Sequence, residues 1–312
     1  MPEMRNIAMV MPAWPEGRRE RGSAMNEPKK HHYIPQFYLS GWCASDGRVV
    51  YYRRVPGRVV EGRIAPRSTG FEENLYTLAH LHESVRQAVE TEVTADVDNR
   101  ASVALRKMTA ARSALTLTPD ERRAWSQFIV SLPIRNPEAV ADIKQTPTRS
   151  VMERAFATAK QQCPEWAGEG DVHAAFEGGV DDDHLSRFVS ANYGLMIISE
   201  LMRNPDYHRI ILDMHWWVAD LAAAGISLIT ADRPYKTFRS IRHPRCLIYV
   251  PIGPKLAFYA SPDPNKKKQL LGLPPKFIVK TMNRALAMLA AKFIYAADAQ
   301  HGPLAAKWLS TR

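Results

Sequence analysis

The stretch KKHHYIPQFYLSGW (29–42) sets two imidazoles, His31 and His32, side by side ahead of a proline. Histidine titrates nearest to neutral pH, so either ring is suited to proton transfer or, when neutral, to holding a divalent metal. Far along the chain, LITADRP (228–234) runs an apolar segment into Asp232 and breaks at Arg233-Pro234. A carboxylate at such a strand end can ligate a metal, orient a histidine or act as a base. Equally, an aspartate before proline can cap the backbone N–H groups of a turn. Glu92, at the margin of a helical apolar stripe, is a third candidate, because a carboxylate there is costly unless paired or used. His31, His32, Asp232 and Glu92 are therefore the catalytic candidates, and His32 and Asp232 the candidate metal ligands. The competing reading is structural. Adjacent residues on a strand face opposite sides, so the two rings do not share one ion there and can each hydrogen-bond to backbone instead.

Positive charge is the second chemical signal. Lys plus Arg outnumber Asp plus Glu by 42 to 32, a net charge of +10, which favours anionic partners such as nucleic acid or another phosphorylated ligand, or else only a soluble basic surface. Between residues 47 and 67 Arg48, Arg53, Arg54, Arg58, Arg63 and Arg67 stand against Glu61 alone, with Tyr51 and Tyr52 interleaved. Arg53 and Arg54 are phosphate-binding candidates on this ground. Lys266, Lys267 and Lys268, with Arg239, Arg242 and Arg245, extend the basic character, although lysine runs in loops are usually solvated. The sequence has no phosphate-binding GxxxxGK, no GxGxxG after a strand, no HExxH and no GxSxG, which disfavours ATP-driven, dinucleotide-dependent and familiar zinc-protease readings. The run DDDH (181–184) could hold a metal. A helix N-cap explains it better, since consecutive aspartates diverge once a helix begins.

These groups need elements to carry them. GRVVYYRR (47–54) and RVVEGRI (58–64) read as a hairpin turning at Pro56-Gly57. Val85, Val89, Val93, Val97, Ala104 and Met108 recur at helical spacing and predict a helix over 82–110. Thr118, Pro119 and Glu121 make a capping box for a second helix carrying Trp125, Phe128, Ile129 and Leu132 on its buried face. Residues 138–180 read as one or two helices and a Gly-rich acidic loop. Strand composition marks 208–220, 225–230, 246–252 and 255–260, a final helix covers 277–292, and 293–298 returns as a strand. The expected class is α+β, with a mixed or antiparallel sheet and several packed helices in a single large domain.

Residues 1–24 mix Pro, Gly and Arg without a sustained period and are expected to be a disordered extension or a mis-called start ahead of Met25. The domain is expected over 25–300, followed by a basic tail at 301–312. Cys43, Cys163 and Cys246 are widely separated and odd in number, and read as buried, reduced thiols of a cytoplasmic protein. No apolar run approaches a membrane span.

KKHHYIPQFYL, ENLYTL (73–78), FIVSLPIRNP (128–137), MHWWV (214–218), LITADRP and YVPIGPKLAF (249–258) occur in an order that resembles the DUF4238 family, a bacterial domain of unknown function. The resemblance spans roughly residues 28–298. Where that family has Ser and Asn around the aspartate, this chain has Ala231 and Arg233, so a role for those neighbours does not carry over. The resemblance adds Arg135 and Asn283 to His31, His32, Pro35 and Asp232 as recurrent polar positions, with Arg135 and Asn283 as substrate-binding candidates. Two functions are expected from these residues. One is a phosphodiester hydrolase, nuclease-like, using the histidines and carboxylates, with a divalent metal as its candidate cofactor. The other is a non-catalytic nucleic-acid or protein interaction module in a phage-defence or mobile-element setting.

Overall fold

The computed structural model describes residues 30–79, 89, 94–145, 149–162 and 184–309, and contacts between Cα atoms divide the chain into two units. The first takes the chain up to His31 together with 73–96 and 137–204; the second takes 32–72, 97–136 and 205–312. Glu92, Cys163, Asp181 to Asp183 and residues 1–24 lie outside the described residues, so the readings placed on them have no structural counterpart here.

The chain enters through β1 (Lys30–His32) and the single turn α1 (Gln36–Leu39). β2 (Val49–Val55) and β3 (Arg58–Ile64) then form the expected hairpin, pairing from Val49 with Ile64 to Val55 with Arg58. Proline holds the first loop residue near its fixed φ, and Gly57 supplies the left-handed second one at φ 76°. β4 (Phe71–Glu73) is short. α2 (Ala95–Ala111) buries Val97, Ala104 and Met108 as the stripe predicts. α3 (Pro119–Ser131) carries the capping box intact: the Glu121 N–H donates to Thr118 Oγ1, and the Thr118 N–H donates to Glu121 Oε2.

Three helices make up most of the described residues of the first unit: α4 (Pro137–Gln145), α5 (Arg149–Gln162) and α6 (His184–Arg203). Met152, Ala155, Phe156 and Ala159 of α5 pack with Leu185, Phe188, Val189 and Met196 of α6 into one core. Asn192, buried on α6, ties down the backbone of Ala79 by accepting from its N–H at 2.7 Å and donating to its carbonyl at 3.0 Å.

The second unit begins its C-terminal part with α7 (Pro205–Leu212), where strand was expected from 208. Pro205 at the first helical position starts this helix, and His208 and Ile211, three apart, share its buried face. The strand is confined to β5 (His215–Asp220). Most of 225–230 is irregular, with β6 limited to Thr230–Ala231. β7 (Lys236–Phe238), β8 (Leu247–Pro251) and β9 (Leu256–Ser261) follow, then α8 (Lys266–Leu271), α9 (Pro275–Leu289) and β10 (Phe293–Ala296). The tail expected at 301–312 is instead largely α10 (Gly302–Leu309), which buries Ala305 and Leu309.

Two antiparallel four-stranded sheets result, in the orders β3-β2-β10-β6 and β5-β9-β8-β7. Trp217, Tyr259 and Tyr249 lie in register across the second sheet and join a core with Ile278, Val279, Met282 and Leu286 of α9. Alternation sends Trp216 and Phe258 to the other face, against Trp125 of α3. The class is α+β, as expected.

Candidate functional site

Along β1 burial alternates as a strand requires: Lys30 is exposed, His31 fully buried and His32 half-buried. His31 Nδ1 accepts from the Tyr76 N–H at 2.8 Å, and its ring stacks on Tyr76 with centroids 5.6 Å apart and planes 6° from parallel. An acceptor at Nδ1 leaves the ring proton on Nε2. The His32 ring lies 5.5 Å from that of Phe71. Its carbonyl accepts from Arg135 Nη2 at 3.0 Å.

Arg135 is 1% exposed, and its guanidinium forks onto Asp98 at 2.7 and 2.9 Å. This planar bidentate pair is a structural clasp between α2 and the end of α3, extended to β1 through the His32 carbonyl. The charge expected to hold a phosphate is thus engaged by a carboxylate of the chain itself. Asp98 could have been sought in the sequence as a partner for Arg135, but with Asp96 two residues before it no local signal singles it out.

What joins the opening motif to the strand end is aromatic. Tyr38 OH donates to the Pro251 carbonyl at 2.6 Å and lies 3.0 Å from Thr230 Oγ1; Trp42 Nε1 donates to the Leu228 carbonyl at 3.1 Å. Burial pushes the Tyr38 hydroxyl far up, partly offset by Thr230, so it stays a donor. Asn283 serves the same segment from α9, accepting the Ile229 N–H at 3.1 Å and donating to the Ser227 carbonyl at 2.9 Å. Both ends of its amide are therefore used in place of a neighbouring strand.

Asp232, 4% exposed, accepts three backbone N–H groups: Ala291 at 2.9 Å, Phe293 at 3.0 Å, and Lys292. It caps a turn, as one of its two sequence readings holds, but that turn is the one entering β10, some sixty residues away. Serine 227 adds a polar knot that the sequence did not point to. Its hydroxyl donates to Asp298 Oδ2 at 2.8 Å, lies 2.8 Å from His301 Nε2 and receives Gln300 Nε2 at 3.2 Å. Burial lowers the His301 pKa, with Asp298 opposing.

Two clefts open in the second unit beside β2 and the start of β10. One, of about 300 Å³, is lined by Tyr33, Tyr51, Arg53, Phe71, Lys292 and Phe293, with Glu72 at its wall. The Arg53 guanidinium lies 5.7 Å from the Phe293 ring, and Tyr51 meets that ring edge-on. The other cleft, of about 480 Å³, is lined by Arg54, Arg58, Ala291 and Lys292 around the Pro56-Gly57 turn. Lys292 belongs to both. Adjacent Arg53 and Arg54 point to opposite faces of β2, so one serves each cleft. The first motif reaches the aromatic cleft through Tyr33, and through Phe71 against His32. The strand-end motif reaches it through Lys292 and Phe293, which Asp232 grips. Among the described residues no group of three or more His, Cys, Asp or Glu is arranged to hold a metal ion, and no helix is long and apolar enough to cross a membrane.

The model of the family described as "Protein of unknown function (DUF4238)" matches residues 30–300. No curated protein and no solved structure matches the chain.

Proposed function

For this chain, which belongs to the DUF4238 family, we propose a non-catalytic nucleic-acid-binding function, with single-stranded nucleic acid held across the two clefts beside β2 and β10. The observation that carries this reading is Lys292, the common wall of an aromatic cleft and a cationic one. Single strands are held by faces on which unpaired bases stack and by cations that follow the phosphates. Tyr51, Phe71 and Phe293 are half-buried, which leaves ring surface for stacking, while Arg53, Arg58 and Lys292 supply charge. The motif residues act behind this surface. Asp232 holds the 291–293 turn, and Arg135 with Asp98 holds the strand that leads into Tyr33.

Fluorescence anisotropy with labelled oligo(dT), oligo(U) and a duplex of equal length tests the reading. The protein is expected to prefer single strands, and Phe293→Ala is expected to weaken binding by about tenfold, the worth of one stacked base. Equal affinity for the duplex, or unchanged binding by Arg58→Ala/Lys292→Ala protein, overturns it.

Phosphodiester hydrolysis is the second reading, favoured by Glu72 on the wall of the aromatic cleft, with His32 one ring behind it. Glu72 would accept the proton of a water attacking phosphorus, the cations would stabilise the phosphorane, and the P–O bond to the departing nucleoside would break with that oxygen taking a proton from solvent. Incubating the same oligonucleotides with Mg²⁺ or Mn²⁺ decides it: cleavage that Glu72→Gln abolishes supports hydrolysis, and intact oligonucleotides remove it.

A further inference from the structure

A second surface, built by α8 and α9, has a different chemistry. From residue 264 to residue 297 the chain contains no Asp or Glu, while Lys266, Lys267, Lys268, Lys276, Lys280, Arg284 and Lys292 fall within that span. Lys267, Lys268, Lys276 and Lys280 are exposed and make no ion pair among the described residues. Amid these charges Leu271, Leu273 and Phe277 are 44%, 41% and 55% exposed. A groove of about 300 Å³ opens there, walled by Phe238, Leu247, Leu270, Leu273 and Met282, with Lys266 joining them.

We propose that this groove docks an acidic segment of a partner protein, which seats a bulky apolar side chain in the groove and sets carboxylates against the lysines. Charge complementarity selects this occupant. A second copy presenting the same face would bring like charge to like charge, and an isologous contact requires that match. A nucleic acid would find an apolar, largely aliphatic wall where its base edges need polar partners. A membrane surface presents its charge as a continuous sheet, whereas here the lysines surround a recess walled by Leu270, Leu273 and Met282 that takes a single apolar side chain. The surface uses residues other than those of the two clefts, except that Lys292 adds to the common field, so the proposal stands apart from nucleic-acid binding.

Selection of a random peptide display library on the full chain, followed by anisotropy with the enriched peptides made in labelled form, tests this. Enriched peptides are expected to carry Asp and Glu around a Leu or Phe and to bind with Kd of about 10 μM, weakening as salt rises. Leu273→Glu, a change at an exposed position, is expected to weaken them by at least about tenfold while the circular dichroism spectrum and Tm hold. Lys267→Glu/Lys268→Glu is expected to weaken them by about threefold. Enriched peptides without acidic bias, or equal binding by Leu273→Glu protein, overturn the proposal. So does the finding that Leu273→Glu abolishes binding to phosphatidylserine vesicles, or self-association by light scattering, with no peptide enriched.

Discussion

At the scale of single residues, the chemistry-bearing side chains are spent within the fold. His31 accepts an N–H, Asn283 stands in for a strand, and Arg135 is closed by Asp98. His31 stood out in the sequence as one of two adjacent imidazoles, whereas Arg135 and Asn283 were marked only by the family resemblance. The sequence did not identify their partners, because His31 and Tyr76 are 45 residues apart and Asn283 and Ile229 are 54, and no local spacing records such pairings. His301 allows a sharp test. Its folded pKa lies below the unfolded value of about 6.5, because burial disfavours the imidazolium more than Asp298 favours it. The unfolded chain therefore binds the proton more readily, so the stability His301 contributes is whole above about pH 6.5 and is lost as pH falls below it. Tm measured against pH is expected to decline toward acid more steeply for the wild type than for His301→Gln, and parallel declines count against this account.

At the scale of elements, the hairpin, α3 with its capping box, α9 and β8 to β10 were legible, because turn chemistry and periodicity agree there with tertiary packing. Within 208–220 the strand expectation holds for β5 but fails over 208–212, where the apolar run fits either period and Pro205, upstream of it, decides for helix. β6 was overestimated for a related reason: the segment before it is extended, but its backbone is satisfied by the Asn283 side chain and by Trp42, so no ladder forms. Asp232 is the joint between elements, holding the end of β6 to the turn between α9 and β10. Asp232→Ala is expected to cost about 2 kcal/mol, because three N–H groups lose an acceptor at once. Urea denaturation is expected to show a lower midpoint at unchanged slope, with Asp232→Asn between the two; a midpoint within error of the wild type removes the joint.

At the scale of the whole molecule, the net charge of +10 is not evenly spent. Acid-free sequence from 264 to 297 and the arginines of the hairpin concentrate it on α8, α9, β2, β3 and Lys292 ahead of β10. If these groups contact phosphates, affinity for a single strand falls with salt, and each contact adds about 0.7 to the slope of log K against log salt. Arg58→Ala and Lys292→Ala are each expected to lower that slope by about 0.7, whereas Arg135→Lys leaves it unchanged; equal slopes for all four proteins exclude contact at the clefts.

The order β3-β2-β10-β6 has a consequence in time. β10 is the interior strand that joins the early hairpin to β6, yet it is among the last segments of the sheet to be synthesised. Until residues 293–296 leave the ribosome, β2 offers an open edge and neither cleft has its second wall, since Lys292 arrives with β10. Pairings so distant in sequence form slowly, and an unpaired edge invites association with other chains meanwhile. Charged side chains on an exposed edge strand oppose such association, and Arg53 and Arg54 place two of them on β2.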